Sequence, residues 1–219
     1  MRHSGRWRLK VSWHAIAAPG QDSHPRPMRF LTNFADLAVI LPLVFAVVLV
    51  AAAQGWWRGA FACFLAVSGA LVTLLVLKLA IYACGPAWPI ARVHSPSGHT
   101  GSAAVAGASV AVLLGLRWTA VPLAALVAAG IGVSRVALRA HTPGDVLIGG
   151  AVGVAAAVLV ALVGPRPRRM ARWPLAAVTV AVLATFHGQH LQVEHVIRGA
   201  AITHIRGAVA ILKPGLDKS

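Results

Sequence analysis

Acidic side chains are scarce in this chain: only 5 of its 219 residues are aspartate or glutamate, and charged residues of all kinds make up 11%. Soluble globular domains carry about 25% charged residues. This shortage, together with a hydrophobic fraction of 58%, excludes an ordinary soluble fold.

Cysteine is also scarce, with only Cys63 and Cys84 in the chain. Their separation matches no metal-binding pattern, and a disulfide would require the two side chains to meet across a helix. We therefore assign neither cysteine a role.

Long apolar runs recur along the chain and are long enough to cross a bilayer. Because they are continuous, they favour helices over the alternating strands of a membrane barrel. The sequence predicts an all-α polytopic membrane bundle of about six transmembrane helices, five or seven also being compatible, over residues 35–53, 60–83, 101–116, 120–136, 146–163 and 173–186.

The net charge of +15 raises the alternative of nucleic-acid binding. The arginines, however, lie in the tails and in short loops between apolar runs. Four of them share the connection 164–172, which is the pattern that sets membrane orientation. We expect contact with the bilayer and no nucleic-acid partner.

Three regions follow from this pattern. Residues 1–28 form a basic polar tail, which is either cytoplasmic or lies upstream of a true start at Met28. Residues 29–187 form the membrane domain, and residues 188–219 form an amphipathic C-terminal segment. His187, His190 and Glu194 could share one helix face and bind a metal, but a polar face at the lipid headgroups is the favoured interpretation.

Ionisable and small polar residues gather in four places: Lys78 near the end of the second span, residues 95–100 before the third, Ser134, Arg135 and Arg139 at the end of the fourth, and His141 with Asp145 at the start of the fifth. Counting crossings places all four on one side of the membrane. Ionisable groups at membrane depth are costly, so this grouping indicates function.

These residue types suit a tetrahedral anion. Lys78 and Arg135 can supply cations, and the backbone around Ser97, Gly98 and His99 precedes a helix whose free N–H groups favour anions. His141 can act as a nucleophile oriented by Asp145, while His99 can act as general acid and base.

Each residue also has a purely structural explanation. Thr142, Pro143 and Asp145 match a helix start with a capping box. Arg135 and Arg139 could favour the negative end of the fourth helix, and Lys78 could extend to the headgroups. These explanations leave the convergence of all four groups on one side unexplained.

The motifs resemble the type 2 phosphatidic acid phosphatase superfamily, which includes lipid phosphate phosphatases and undecaprenyl pyrophosphate phosphatases. "PSGH" at 96–99 and "SRVALRAHTPGD" at 134–145 match in full. "KLAIYACGP" at 78–86 matches in part, since Gly85 stands where the family has arginine. The resemblance covers about residues 29–163.

The resemblance implies that His141 forms a phosphohistidine, that Asp145 orients it, and that His99 is the general acid and base. It implies no metal and no cofactor. Arg139 or Arg92 could substitute for the arginine missing at Gly85. The residues expected to bind phosphate are Lys78, Ser97, Gly98, Ser134 and Arg135.

We therefore expect a membrane phosphatase acting on a lipid phosphate or pyrophosphate at the bilayer surface. A non-catalytic lipid or anion transporter and a lipid phosphotransferase are the alternatives. With the basic loop 164–172 in the cytoplasm, the site faces the periplasm or exterior of a bacterial-type inner (plasma) membrane. The basic tail opposes this orientation unless translation starts at Met28.

Overall fold

The computed structural model describes residues 26–84, 93–164, 172–191 and 193–200. Within these ranges the chain is helical and contains no strand, which confirms the all-α prediction. The helices are α1 (Arg26–Asn33), α2 (Leu37–Ala53), α3 (Trp57–Cys84), α4 (Gly98–Leu113), α5 (Arg117–Ala137), α6 (Pro143–Val163), α7 (Arg172–Phe186) and α8 (Val193–Ala200).

Helices α2 to α7 correspond in order to the six predicted spans. In the part of the chain that the structure describes, four stretches are long and apolar enough to cross a membrane: Arg26–Ala53, Trp57–Tyr82, Arg117–Ala137 and Pro143–Val163. The third and sixth predicted spans, α4 and α7, are shorter, with 16 and 15 residues.

Helix α4 lies at the centre of the bundle and packs against α3, α5 and α6. Most of its residues are buried, and they are mainly alanine, glycine, serine and valine. Small side chains allow helix backbones to approach closely, and the resulting van der Waals contacts stabilise the bundle. A helix that contacts mainly other helices needs little apolar surface for lipid. This explains why α4 can be short and only moderately apolar.

The closest approach joins α4 to α6 through three glycines. A Cβ atom on Gly101 would lie 2.7 Å from the Gly149 carbonyl oxygen, and one on Gly153 would lie 2.5 Å from the Gly101 carbonyl oxygen. A Cβ atom on Gly149 would collide with the backbone of Ser97. The segment before α4 therefore packs directly against the first turns of α6. The motifs at 96–99 and 134–145 meet at this contact.

We expect Gly149→Ala to lower the free energy of unfolding by about 1–3 kcal/mol, because the added methyl group meets backbone that cannot rotate away. Thermal unfolding in detergent should show a lower Tm. Gly130→Ala on α5 is the matched control, since nothing lies within 4 Å of a Cβ atom at that position. Equal Tm values for the two variants would contradict the close approach.

Candidate active site

Asp145 joins two parts of the chain at the polar end of the bundle. It is 2% exposed, and its Oδ1 accepts hydrogen bonds from the backbone N–H groups of His94 and Ser95, each at 2.8 Å. Its Oδ2 accepts from the Thr142 backbone N–H at 3.0 Å. One carboxylate therefore fixes the segment before α4 to the start of α6.

The same carboxylate faces His141. The distance from His141 Nδ1 to Asp145 Oδ2 is 3.7 Å, and the His141 side chain is 8% exposed. Asp145 also completes a capping box with Thr142, whose hydroxyl accepts from the Asp145 backbone N–H, and Pro143 opens the helix. The capping arrangement and the contact with histidine, which the sequence offered as separate explanations, are both present.

Ser97 locks the start of α4 in place. It is fully buried, its backbone N–H donates to the Asp145 carbonyl oxygen at 2.9 Å, and its hydroxyl caps α4. The Thr100 hydroxyl donates to Ser97 Oγ at 2.9 Å. Ser97 thus has a structural role in this conformation in addition to the phosphate-binding role expected of it.

Lys78 turns inward from α3. It is 4% exposed, and its Nζ donates to the Ser95 hydroxyl at 2.8 Å. Its aliphatic stem lies beside Gly98, where an added Cβ atom would be 4.0 Å from Lys78 Cε. The cation therefore lies beside the segment that leads into α4 and is buried within the bundle.

The polar residues at the end of α5 differ in exposure and in the contacts they make. Arg135 is half-buried and close enough to His99 for their charges to interact. Ser134 is fully buried, and its hydroxyl donates to the Ile131 carbonyl oxygen at 2.6 Å, while its contact with phosphate stays a prediction. Arg139 is exposed and left-handed, with φ of 54°. Gly85 and Arg92 lie outside the described residues.

Asp36 is a residue that the sequence analysis did not select. It caps α2 and is 5% exposed, and its Oδ2 lies 3.6 Å from His99 Nε2. His190 Nδ1 lies 3.3 Å from the same oxygen, and the Leu191 backbone N–H donates to Oδ1 at 3.1 Å. The sequence could have indicated Asp36, because it is an acidic residue at the start of the first predicted span, on the same side of the membrane as the motifs.

Within the described part of the C-terminal segment and the end of α7, His190 and His187 make different contacts. His190 contacts Asp36, whereas the ring of His187 lies against Phe30 and Phe34, with centroid distances of 4.6 and 4.2 Å. Within the described residues, no group of three or more potential metal ligands occurs. The side chain of Glu194 is outside that description.

His99 lies on the first turn of α4, ahead of the predicted third span. Loss of solvent through burial lowers the pKa of His99, and the positive charges of Arg135 and Lys78 act in the same direction, while Asp36 opposes them. A bound phosphate would offset the two cations. We therefore expect anion binding to raise the pKa of His99 towards the protonated form that a general acid requires.

A cavity of about 100 Å³ opens beside this cluster. Its polar end is formed by Lys78, Gly98 and His99. The remaining walls are apolar and come from α2, α3 and the C-terminal segment: Leu37, Leu71, Leu74, Leu75, Leu191, Val193 and Ile197. The cavity can thus accommodate an anionic group next to an apolar chain.

We expect Asp145→Asn to destabilise the protein by about 1–3 kcal/mol, because an amide has a single acceptor oxygen for the three N–H groups that converge on Asp145. The measurement is thermal unfolding in detergent. Thr142→Ser, which keeps the capping hydroxyl, should unfold close to the wild-type temperature. An asparagine variant as stable as wild type would show that these hydrogen bonds contribute little.

Comparison with known proteins gives one match. A family model described as the PAP2 superfamily matches residues 37–169, more than half of the chain. No curated protein and no solved structure gave a significant match. The matched region contains every helix from α2 to α6, and with them Lys78, His99, Arg135, His141 and Asp145. Asp36 and the C-terminal segment lie outside it.

Proposed function

Because this chain belongs to the PAP2 superfamily, whose members are phosphatases, we propose that it hydrolyses a lipid phosphate or pyrophosphate through a phosphohistidine on His141. The observation that best supports this proposal is the buried Asp145, which contacts His141 while holding the segment that leads to His99. Asp145 thereby contacts the candidate nucleophile with one oxygen and, through backbone hydrogen bonds, holds the segment that precedes the second histidine.

In the first chemical step, Asp145 holds the Nδ1–H of His141, which leaves Nε2 to attack phosphorus. The P–N bond forms while the P–O bond to the leaving group breaks, and its electron pair stays on the leaving oxygen. His99 donates a proton to that oxygen. Lys78 and Arg135 offset the charge on the phosphoryl oxygens, since cations held in advance by the fold stabilise developing charge without reorganisation.

In the second step, water attacks phosphorus and the P–N bond breaks, which returns the electron pair to His141. His99 accepts the proton from water. Phosphate leaves, and His99 is again protonated for the next cycle. An acceptor alcohol in place of water would make the same protein a phosphotransferase.

The lining of the cavity supports a lipid as the substrate class. Its polar end holds Lys78 and His99, and its other walls are leucine, isoleucine and valine side chains. Such walls favour an acyl or prenyl chain over a soluble sugar phosphate, because burying apolar surface is favourable by about 25 cal/mol per Å².

We expect purified protein to release phosphate from one or more members of a lipid panel in detergent with excess EDTA. The panel contains undecaprenyl pyrophosphate, phosphatidic acid, phosphatidylglycerol phosphate and lipid A. His141→Ala should reduce the rate at least about 1,000-fold, since a nucleophile has no substitute. His187→Ala, a change of histidine at the same end of the bundle, is the control and should retain activity.

Rapid alkaline quenching should trap a phosphorylated protein that acid destroys, and His141→Ala should abolish it. Transfer of phosphate to an added alcohol without release to water would favour the phosphotransferase. If folded wild-type protein neither released phosphate from any lipid of the panel nor transferred it to an alcohol, hydrolysis and transfer would both be excluded. A binding or transport role would then follow.

We also propose that the catalytic end faces the periplasm or exterior. The opposite end bears the basic connection 164–172, and there Arg117 donates to the Leu162 carbonyl oxygen at 3.2 Å. Excess arginine favours the cytoplasmic side.

Cysteine labelling tests this orientation in a Cys63→Ala, Cys84→Ala background. Ala140→Cys at the catalytic end should react with a membrane-impermeant maleimide in intact spheroplasts, because position 140 is exposed. Trp118→Cys at the opposite end, where the side chain is 88% exposed, should react only after the membrane is permeabilised. The reverse pattern would place the site in the cytoplasm.

A further inference from the structure

A second buried carboxylate stands beside the second histidine. One oxygen of Asp36, Oδ1, accepts backbone hydrogen bonds from Ala38 at 2.9 Å and Leu191 at 3.1 Å. The other oxygen, Oδ2, faces the imidazoles of His99, at 3.6 Å, and His190, at 3.3 Å. The backbone contacts therefore fix the carboxylate, and its second oxygen remains directed at histidine.

This arrangement parallels that of the first histidine. Asp145 likewise caps a helix, accepts N–H groups from a distant segment and presents an oxygen to an imidazole nitrogen. The nitrogen differs between the two pairs: Nδ1 of His141 faces Asp145, whereas Nε2 of His99 faces Asp36. The two histidines are therefore held through opposite ring nitrogens.

On the basis of the proposed function, we propose that Asp36 is the positioning residue for His99, holding its Nε2–H so that Nδ1 exchanges the proton with the leaving group and with water. When His99 is protonated, Nε2–H stays on Asp36, and Nδ1–H passes to the leaving oxygen as the P–O bond breaks. Neutral His99 then has a free lone pair on Nδ1, which accepts the proton of the attacking water.

The surroundings of His99 give such a partner a function. Burial disfavours a positive imidazolium, and so do Arg135 and Lys78, whereas Asp36 favours it. His190 shares Asp36 Oδ2 from the solvent side, with its side chain 59% exposed. Without the carboxylate, His99 would lose its proton more easily and its ring orientation would be less fixed.

A simpler role for Asp36 is that it only caps α2. Two substitutions separate the roles. Asp36→Asn keeps an oxygen for the N–H of Ala38 and is as good a cap, but it cannot stabilise a cation. Asp36→Glu keeps the charge, but its longer side chain caps less well. A capping role predicts that asparagine is tolerated better, whereas positioning predicts that glutamate is.

The kinetic test compares two phosphate esters that differ in the leaving group. Octyl phosphate releases an alkoxide that needs a proton, and p-nitrophenyl phosphate releases a phenolate that does not. We expect Asp36→Asn to lower kcat/KM for octyl phosphate about 10- to 100-fold, part of the roughly 10²–10⁴-fold that general acid catalysis contributes. For p-nitrophenyl phosphate kcat/KM should change less than about 3-fold, and Asp36→Glu should recover part of the octyl phosphate rate.

Because kcat/KM reports the steps through the first phosphoryl transfer, slow hydrolysis of the phosphoenzyme does not obscure this comparison. An equal loss for both esters in Asp36→Asn would overturn the positioning role and leave Asp36 as a cap. Glutamate behaving no better than asparagine towards octyl phosphate would overturn it as well.

A second readout does not depend on activity. In protein labelled with ¹⁵N-histidine, the His99 signals are identified by their loss in His99→Gln, and two-bond proton–nitrogen correlations show which ring nitrogen is protonated. We expect the Nε2–H tautomer in wild type and a mixture of tautomers in Asp36→Asn. If wild type hydrolysed neither ester, the lipid panel would still test the proposed function, and the tautomer would decide the positioning role: no change in Asp36→Asn would overturn it.

Discussion

The polar end of this bundle depends on the contacts made by the buried carboxylate of Asp145. It accepts N–H groups of His94 and Ser95 from one segment and of Thr142 from another, and it contacts His141. In a low-dielectric setting a buried charge is costly unless it is paired and hydrogen-bonded. Here the stabilisation of that charge and the placement of the candidate nucleophile result from the same contacts.

Close helix packing makes this meeting of segments possible. Gly101, Gly149 and Gly153 allow α4 and α6 to approach until backbone touches backbone. Ser97 is thereby placed where its N–H reaches the Asp145 carbonyl oxygen. A larger side chain at this helix crossing would move the two motifs apart even if every residue of the candidate site were unchanged. The geometry of the site therefore depends on the packing of α4 against α6.

Two of the few acidic residues lie close to histidines of the candidate site. Of 5 in the chain, Asp36 and Asp145 both lie buried at the same end of the bundle, each next to a histidine. Asp36 also binds the C-terminal segment through Leu191 and His190, and this segment supplies one wall of the cavity. The segment around His190 and Leu191 thus contacts the region that contains the family motifs.

The sequence by itself determined the helical class, the order of the helices and the two complete motifs, because hydropathy and motif spacing are local properties of the chain. It also indicated that Asp145 would cap α6 and meet His141, since both contacts lie within one helical turn. The effect of Gly85 in place of the family arginine, and its replacement by Arg92, stay predictions, because both residues lie outside the described part of the chain. The tertiary structure alone decided which polar groups face one another across helices. It brought Asp36 to His99 and Lys78 to Ser95, because such contacts depend on helix rotation and on the packing of separate segments of the chain.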